Sequence, residues 1–287
     1  MAGLVIFTGA NSSMGIPAAD HLLQSYPDYT IVFTVRDASD VDINNKRLRD
    51  TVAKHPNAKA SILPLDLASL EATHEFADEI IAGIQSRNFG DAGGRIVLLS
   101  SDSHWPGKNA MEKYPPSMDD LERLVHPTVD DDKQGRGYQR YATAKLAITT
   151  WMYALNRHLE DDENLKRITA VAINPGNMVD SRALRTNTPP SLHKMQKFVY
   201  KPLLPVLKLI MGPTLRTAAP AGVDVVELTL NPKYKAKRGY YTLLEEDESS
   251  PDSQNREKQS KLWAQTLIWA KITENNTALQ DGVRVQR

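Results

Sequence analysis

The stretch GLVIFTGANSSMGIPAADHLLQSY, residues 3–26, decides how the rest of the chain is read. Gly3 to Thr8 is a short apolar run of β type, and Gly15 to Tyr26 follows with Ile16, Ala19, Leu22 and Leu23 at helical spacing. Between them TGANSSMG turns the chain, with Gly9 and Gly15 near its ends. A strand, a glycine turn and a helix carry the unpaired N–H groups and partial positive charge of a helix N-terminus to the strand's end, where a pyrophosphate can be held. Two glycines alone are a weak signal, because many such turns bind nothing.

The alternation continues outward. Tyr29 to Val35, Ala60 to Leu65, Arg95 to Ser100, Ile168 to Ile173 and Gly239 to Leu244 read as strands. Ile43 to Lys54, Leu70 to Ile84, Tyr141 to Leu159, Ala219 to Leu230 and Lys258 to Ala270 read as helices. Near-continuous apolar strands alternating with helices predict an α/β fold with a doubly wound parallel sheet, covered on both faces. One domain is expected over residues 1–272, with residues 245–252 a loop and residues 273–287 a disordered tail. Two segments interrupt the rhythm. About thirty-five residues rich in Pro, Asp and Gly lie between Trp105 and Arg140, a length usually functional or disordered. Residues 182–217 alternate prolines, apolar residues and lysines, and suit an apolar lid containing Leu203, Leu204, Leu207 and Ile210, or a surface helix pair packed on the core. Shallow membrane contact ranks last among the readings of that segment.

Composition excludes several classes. With no cysteine among 287 residues there is no disulfide framework, thiolate metal site or cysteine nucleophile, and no metal is expected. Lys plus Arg and Asp plus Glu both number 35, so net charge attracts neither nucleic acid nor an anionic membrane. The N-terminus has no basic region and no stretch approaches the length of a membrane span, so a soluble, cytoplasmic protein is expected.

Three features carry chemistry. Arg36 follows the second strand, where an NAD-specific unit usually offers an acidic residue; an arginine suits the extra phosphate of NADP, unless it merely pairs with Asp37 or Asp40. Tyr141 and Lys145, in YATAK, share one helix face. A free tyrosine has a pKa of about 10, and a nearby ammonium would lower it and make the phenol a practical proton donor and acceptor. With 10 tyrosines in the chain such a pair also arises by chance, so its weight comes from position. Tyr141 opens the helix that follows RIVLLSS, and Ser101 at that strand's end can donate to the same carbonyl oxygen. Taken alone, Ser100 and Ser101 would more often cap a turn.

TGANSSMG, Asp66-Leu67 after the third strand, LLSS, YATAK and Asn174-Pro175-Gly176 occur in the order of the short-chain dehydrogenase/reductase family, which the chain resembles over about residues 3–272. GYYTLLEEDESSP and the later KLW resemble the branch of retinol dehydrogenases and fungal ketosteroid reductases. The resemblance implies an NADP(H)-dependent oxidoreductase acting on a lipophilic ketone or alcohol, steroid-, retinoid- or polyketide-like, and allows a homo-oligomer. It implies Tyr141 as acid/base, Ser101 holding the substrate oxygen, and Lys145 contacting the nicotinamide ribose and lowering the tyrosine pKa. Gly9, Ser12, Ser13 and Gly15 would cradle the phosphates, Arg36 the adenosine phosphate, Asp66 and Leu67 the adenine, and Pro175 and Gly176 the nicotinamide side.

Two departures qualify the resemblance. Ser13 stands where the family usually has a middle glycine. More seriously, the chain runs from Ile84 through QSRNFGDAGG straight into RIVLLSS, without the family's fourth strand, its Asn-Ala-Gly motif, or the helix bearing a catalytic asparagine. The linker can serve as a right-handed crossover that sets RIVLLSS directly against the first strand, which predicts a closed six-stranded sheet. Ser101, Tyr141 and Lys145 would then lie about 4.8 Å nearer the glycine turn than in relatives, with weakened or altered activity. The missing segment keeps two alternatives open: a cofactor-binding or interaction module without redox activity, and a dehydratase, isomerase or cyclase acting on a biosynthetic intermediate.

Overall fold

β-branched apolar runs become strands here because their side chains fill a pleated, covered surface, and each of the six runs read as a strand is one. The computed structural model describes residues 3–85, 93–109, 111–186, 188 and 190–283. In chain order the main elements are β1 (Leu4–Thr8), α1 (Gly15–Ser25), β2 (Thr30–Val35), α2 (Ile43–Ala53), β3 (Lys59–Pro64) and α3 (Leu70–Gln85). After these come β4 (Gly94–Leu99), α4 (Lys133–Asp161), β5 (Ile168–Asn174), α5 (Ala218–Leu230), β6 (Gly239–Thr242), β7 (Glu245–Asp247) and α6 (Arg256–Trp269). The α/β character and the parallel pairing expected from the sequence are both present.

The chain divides into two compact units. The first comprises Met1–Ala92 and Asn177–Glu227. Its sheet has the order β1-β2-β3, all parallel, with Leu4 opposite Thr30 and Thr30 opposite Lys59. The central β2 buries Ile31 to Val35, and fully buried side chains such as Phe33 each stabilise the fold by about 1.5–3 kcal/mol. α1 buries Ala18, Ala19, Leu22 and Leu23, and its small residues admit α5 closely. A Cβ on Gly222 of α5 would lie 2.7 Å from the backbone of Met14 and Ala18, so only glycine permits this approach.

The second unit comprises Gly93–Gly176 and Leu228–Arg287. Its sheet has the order β4-β5-β6-β7, with β4, β5 and β6 parallel and β7 antiparallel. Its core joins Met152, Leu155 and Leu159 of α4 to Ala170 and Ala172 of β5, Tyr240 and Trp263. β6 pairs with β5 only from Val171 onward. Asn156 supplies both bonds at Ala170, donating to its carbonyl at 2.8 Å and accepting from its N–H at 2.9 Å.

Four expectations are corrected. The closed six-stranded sheet is not seen: among the described residues β1 pairs with β2 and β4 with β5, in two separate sheets. With closure gone, the expected 4.8 Å shift has no basis; most of the linker, residues 86–92, lies outside the described residues. The residues read as a loop at 245–252 begin with β7, because Leu243, with φ of 59°, turns the chain back on β6. α4 starts at Lys133 rather than Tyr141, capped by Asp132, whose carboxylate accepts from the Gly135 N–H at 2.9 Å. Finally, the described part of the expected tail is tied down: Trp263 donates to the Gly282 carbonyl at 2.7 Å, beside a short helix, Gln280–Val283. Among the described residues no helix is long and apolar enough to cross a membrane, and no cluster suits a metal ion.

Candidate active site

In the first unit the turn after β1 is built by its own side chains and backbone. Gly9 adopts a φ of 65°, which glycine reaches without strain. The Ser12 hydroxyl accepts from the Gly15 N–H at 2.9 Å, which starts α1. A Cβ on Gly15 would lie 2.5 Å from the Ala10 carbonyl oxygen, so the close turn requires glycine. Ser13, in place of the family's middle glycine, takes no left-handed backbone angle, so the replacement costs no strain. Arg182, not singled out in the sequence, lies on this turn: its Nη2 donates to the Asn11 carbonyl at 2.5 Å and its N–H to the Ser13 hydroxyl at 3.0 Å. It brings a cation to the helix N-terminus, and its distance along the chain hid it.

Arg36 and Asp66, from the ends of adjacent strands, approach each other to 3.8 Å. Asp37 caps Ser39 and Asp40 pairs with Arg49, so neither is the partner weighed for Arg36. Arg36 keeps 84% of its side chain exposed, and so loose a pair leaves its guanidinium available to an anion. Asp66 also accepts from the Ala68 N–H at 3.0 Å, which turns the chain at the exposed Leu67.

In the second unit Ser101, Tyr141 and Lys145 come together beyond the end of β4. The Ser101 hydroxyl donates to Asp102 at 3.1 Å and accepts from the Ser103 N–H at 3.3 Å, so it also serves as the turn cap weighed for it. Ser100 is an anchor, its hydroxyl 2.6 Å from that of Thr149. Lys145 donates from Nζ to the Leu99 carbonyl at 2.7 Å, and Nζ stands 5.6 Å from the centre of the Tyr141 ring. Pro175 and Gly176 follow the adjacent strand on the same side, where the Ser100 N–H donates to Ile173 at 2.7 Å. Gly176 has a φ of 84° and donates to the Asn174 side chain at 3.1 Å.

The electrostatics here depart from the expectation for the tyrosine. Burial raises the Tyr141 phenol above its ordinary value; hydrogen bonding to Ser101 and Ser103 opposes this and the Asp102 charge adds to it, with no lowering from Lys145. Tyr141 as a residue is 48% exposed, so the enclosed part is the hydroxyl end, which reaches the buried Ser101 and Ser103. Burial likewise lowers the Lys145 ammonium below its usual value. An ammonium committed to a carbonyl and partly desolvated does little for a phenol across the ring.

Two further groups complete the site. Buried His104 accepts the Ser250 N–H on Nε2 at 3.0 Å, which places its proton on Nδ1 for the Ser101 carbonyl at 2.6 Å. Its ring lies 4.7 Å from that of Tyr240, and burial lowers its pKa, so a neutral imidazole holds the backbone of Ser101. Its place three residues after Ser101 was the available signal. The Tyr138 ring lies at a tilt, 6.2 Å from that of Tyr141.

Residues 182–279 match the AcuH dehydrogenase domain. The chain is 45% identical over 93 residues to dehydrogenase acuH of Aspergillus aculeatus, covering 32% of this chain and 94% of that protein. It is 23% identical to short-chain dehydrogenase iccH of Talaromyces variabilis, covering 97% of this chain and 98% of the relative. That alignment runs over 369 positions, so a substantial part of the relative has no counterpart here. An NADPH-bound short-chain oxidoreductase of Pseudomonas aeruginosa PAO1 with an atypical catalytic center shares the fold at a TM-score of 0.52 and 12% identity, covering 86% of this chain and 97% of that one. The chain belongs to the short-chain dehydrogenase/reductase family, and its class is oxidoreductase. The residues matched to the AcuH dehydrogenase domain include neither the glycine turn nor Tyr141, so the two lines of argument rest on different residues.

Proposed function

We propose that the chain is an NADP(H)-dependent oxidoreductase of a lipophilic ketone or alcohol, with Tyr141 as proton donor and acceptor. The observation that carries this is the convergence of Tyr141, Ser101 and Lys145 beyond the end of β4, with His104 holding the Ser101 backbone. The residues of the first unit fit the cofactor. Gly9, Ser12, Ser13 and Gly15 form a turn that no Cβ at Gly15 could enter, Arg182 adds a cation, and exposed Arg36 suits an adenosine phosphate. Asp66 and Leu67 flank the adenine, and Pro175 and Gly176 serve the nicotinamide side. When bound, the cofactor supplies or accepts the hydride.

The protein's own part is proton transfer. Burial and the Asp102 charge raise the Tyr141 phenol, so at neutral pH it is in the protonated form that can donate to a carbonyl oxygen. Ser101 must release Asp102 to donate to the same oxygen. Lys145 holds the Leu99 carbonyl with one of its three N–H donors, which leaves two for a cofactor ribose. A second reading, a family member without redox turnover, is favoured by the unmatched length of the relative. The discriminating experiment is NADPH oxidation by purified protein across a panel of lipophilic ketones. Turnover lost in Tyr141→Phe supports the first reading; NADPH binding with no turnover on any ketone supports the second.

A further inference from the structure

From Ser181 to Val223 the chain contains no acidic residue, although Lys plus Arg and Asp plus Glu balance at 35 each over the whole. The same segment folds as Pro190–Met195, a π-helical turn Gln196–Tyr200, and a helix Leu204–Met211. Its apolar side chains are not put away. Leu209 is 88% exposed, Ile210 77% and Phe198 65%, and Met195, Val199, Leu203 and Val206 are exposed with them. A run this apolar costs free energy in water and marks a surface that something covers.

Charge identifies the occupant. Lys194, Lys197, Lys201 and Lys208 are all exposed and make no ion pair among the described residues, whereas Arg182 and Arg216, nearer the segment's ends, are engaged. Arg182 is bound to the Asn11 carbonyl and Arg216 to Asp224. Lys197 stands 5.2 Å from the Phe198 ring, so charge and apolar surface are interleaved rather than separated. A soluble apolar ligand would not call for four unpaired ammonium groups, and a second copy would bring the same cations against themselves. An anionic bilayer offers both hydrocarbon for the leucines and phosphate or carboxylate groups for the lysines.

We propose that residues 190–211 dock this protein on the surface of an anionic lipid bilayer, with Phe198, Leu209 and Ile210 entering the interface and Lys197, Lys201 and Lys208 meeting the headgroups. This goes beyond the assigned chemistry and does not depend on it, since it concerns a surface that would operate whether or not Tyr141 turns over substrate. Nor does it need a spanning helix; shallow insertion suffices.

The test is flotation of the full-length protein with vesicles of phosphatidylcholine alone and with roughly 30% phosphatidylserine added. The expected result is at least about tenfold stronger binding to the anionic vesicles, reversed by about 0.5 M salt. Leu209→Ser with Ile210→Ser should abolish binding, and Lys197→Glu with Lys201→Glu and Lys208→Glu should remove the preference for phosphatidylserine. Circular dichroism of each variant separates loss of the surface from loss of the fold. No binding, equal binding to both vesicles, or variants that bind like the parent would overturn the proposal. A dimer in light scattering that the Leu209/Ile210 variant dissolves, with no vesicle binding by the parent, would assign the face to a second copy instead.

Discussion

The two units differ in how the residues proposed for binding and for chemistry are held. In the first, the cofactor turn is set by backbone: the left-handed Gly9, the close passage at Gly15 and the helix start are fixed before any ligand arrives. In the second, the reacting groups are side chains already engaged inside the protein, Ser101 with Asp102 and Lys145 with Leu99. A backbone turn can be preorganised at little cost, whereas hydroxyl and ammonium groups without ligand take the nearest partner. Binding is therefore expected to be robust and chemistry to depend on an exchange of hydrogen bonds.

The sharpest way to break that comparison is to remove the proton donor alone. Tyr141→Phe should lower turnover by about 10²–10⁴-fold while leaving NADPH affinity unchanged. A matching fall in affinity would mean that the units do not divide the work in this way.

The converse test is Gly15→Val. Its added carbon collides with the Ala10 carbonyl, and the turn must open. NADPH affinity should fall by roughly 10–100-fold, the worth of one or two charge-assisted hydrogen bonds, as read by fluorescence titration. Retained affinity would remove the turn from the site.

His104 sharpens the second half. His104→Ala leaves the Ser250 N–H unpaired and the Ser101 carbonyl with the residue 104 backbone N–H at 3.2 Å in place of two donors, at a cost of about 1–3 kcal/mol for the orphaned N–H in denaturant unfolding. Its folded pKa lies below the unfolded value of 6.5, chiefly through burial and further through Lys108, against Ser101, Asp102 and Asp247. The unfolded chain therefore binds the extra proton first, and the stability that the neutral ring contributes is present above pH 6.5 and lost as pH falls below it. Thermal unfolding measured at acid and neutral pH should show a smaller loss on acidification for the variant than for the parent; equal losses would mean that other groups govern it.

The smallest effect belongs to Arg36→Ala. A cation so exposed contributes about 1 kcal/mol or less, so NADPH affinity should fall by no more than about fivefold with NADH unaffected. A larger loss would mean that the guanidinium is held more firmly than its pairing with Asp66 implies.

What could be read in the sequence, and what could not, follows from range. The strands and most helices were legible because each depends on a local apolar period, and β2 with its run of buried residues is the clearest case. The glycine turn was legible for the same reason. The early start of α4 was missed because Gly135 and Gly137 weaken its first turns, and only the Asp132 cap and packing decide for helix. The separate pairing of β1 and β4 was not legible, since strand pairing is a choice between distant segments. Arg182 and His104 were missed because each acts through a backbone partner that no local pattern reveals. The expected lowering of the Tyr141 pKa failed because spacing placed Lys145 on the right face but could not show that the Leu99 carbonyl would take its ammonium.

The most direct measurement is a titration of the purified full-length protein with NADPH and with NADH, followed by nucleotide fluorescence. The glycine turn, Arg182 and Arg36 predict saturable binding of both, with NADPH the tighter. Failure to bind either nucleotide would contradict the assignment of an oxidoreductase site to this chain, and equal affinities would contradict the role given to Arg36.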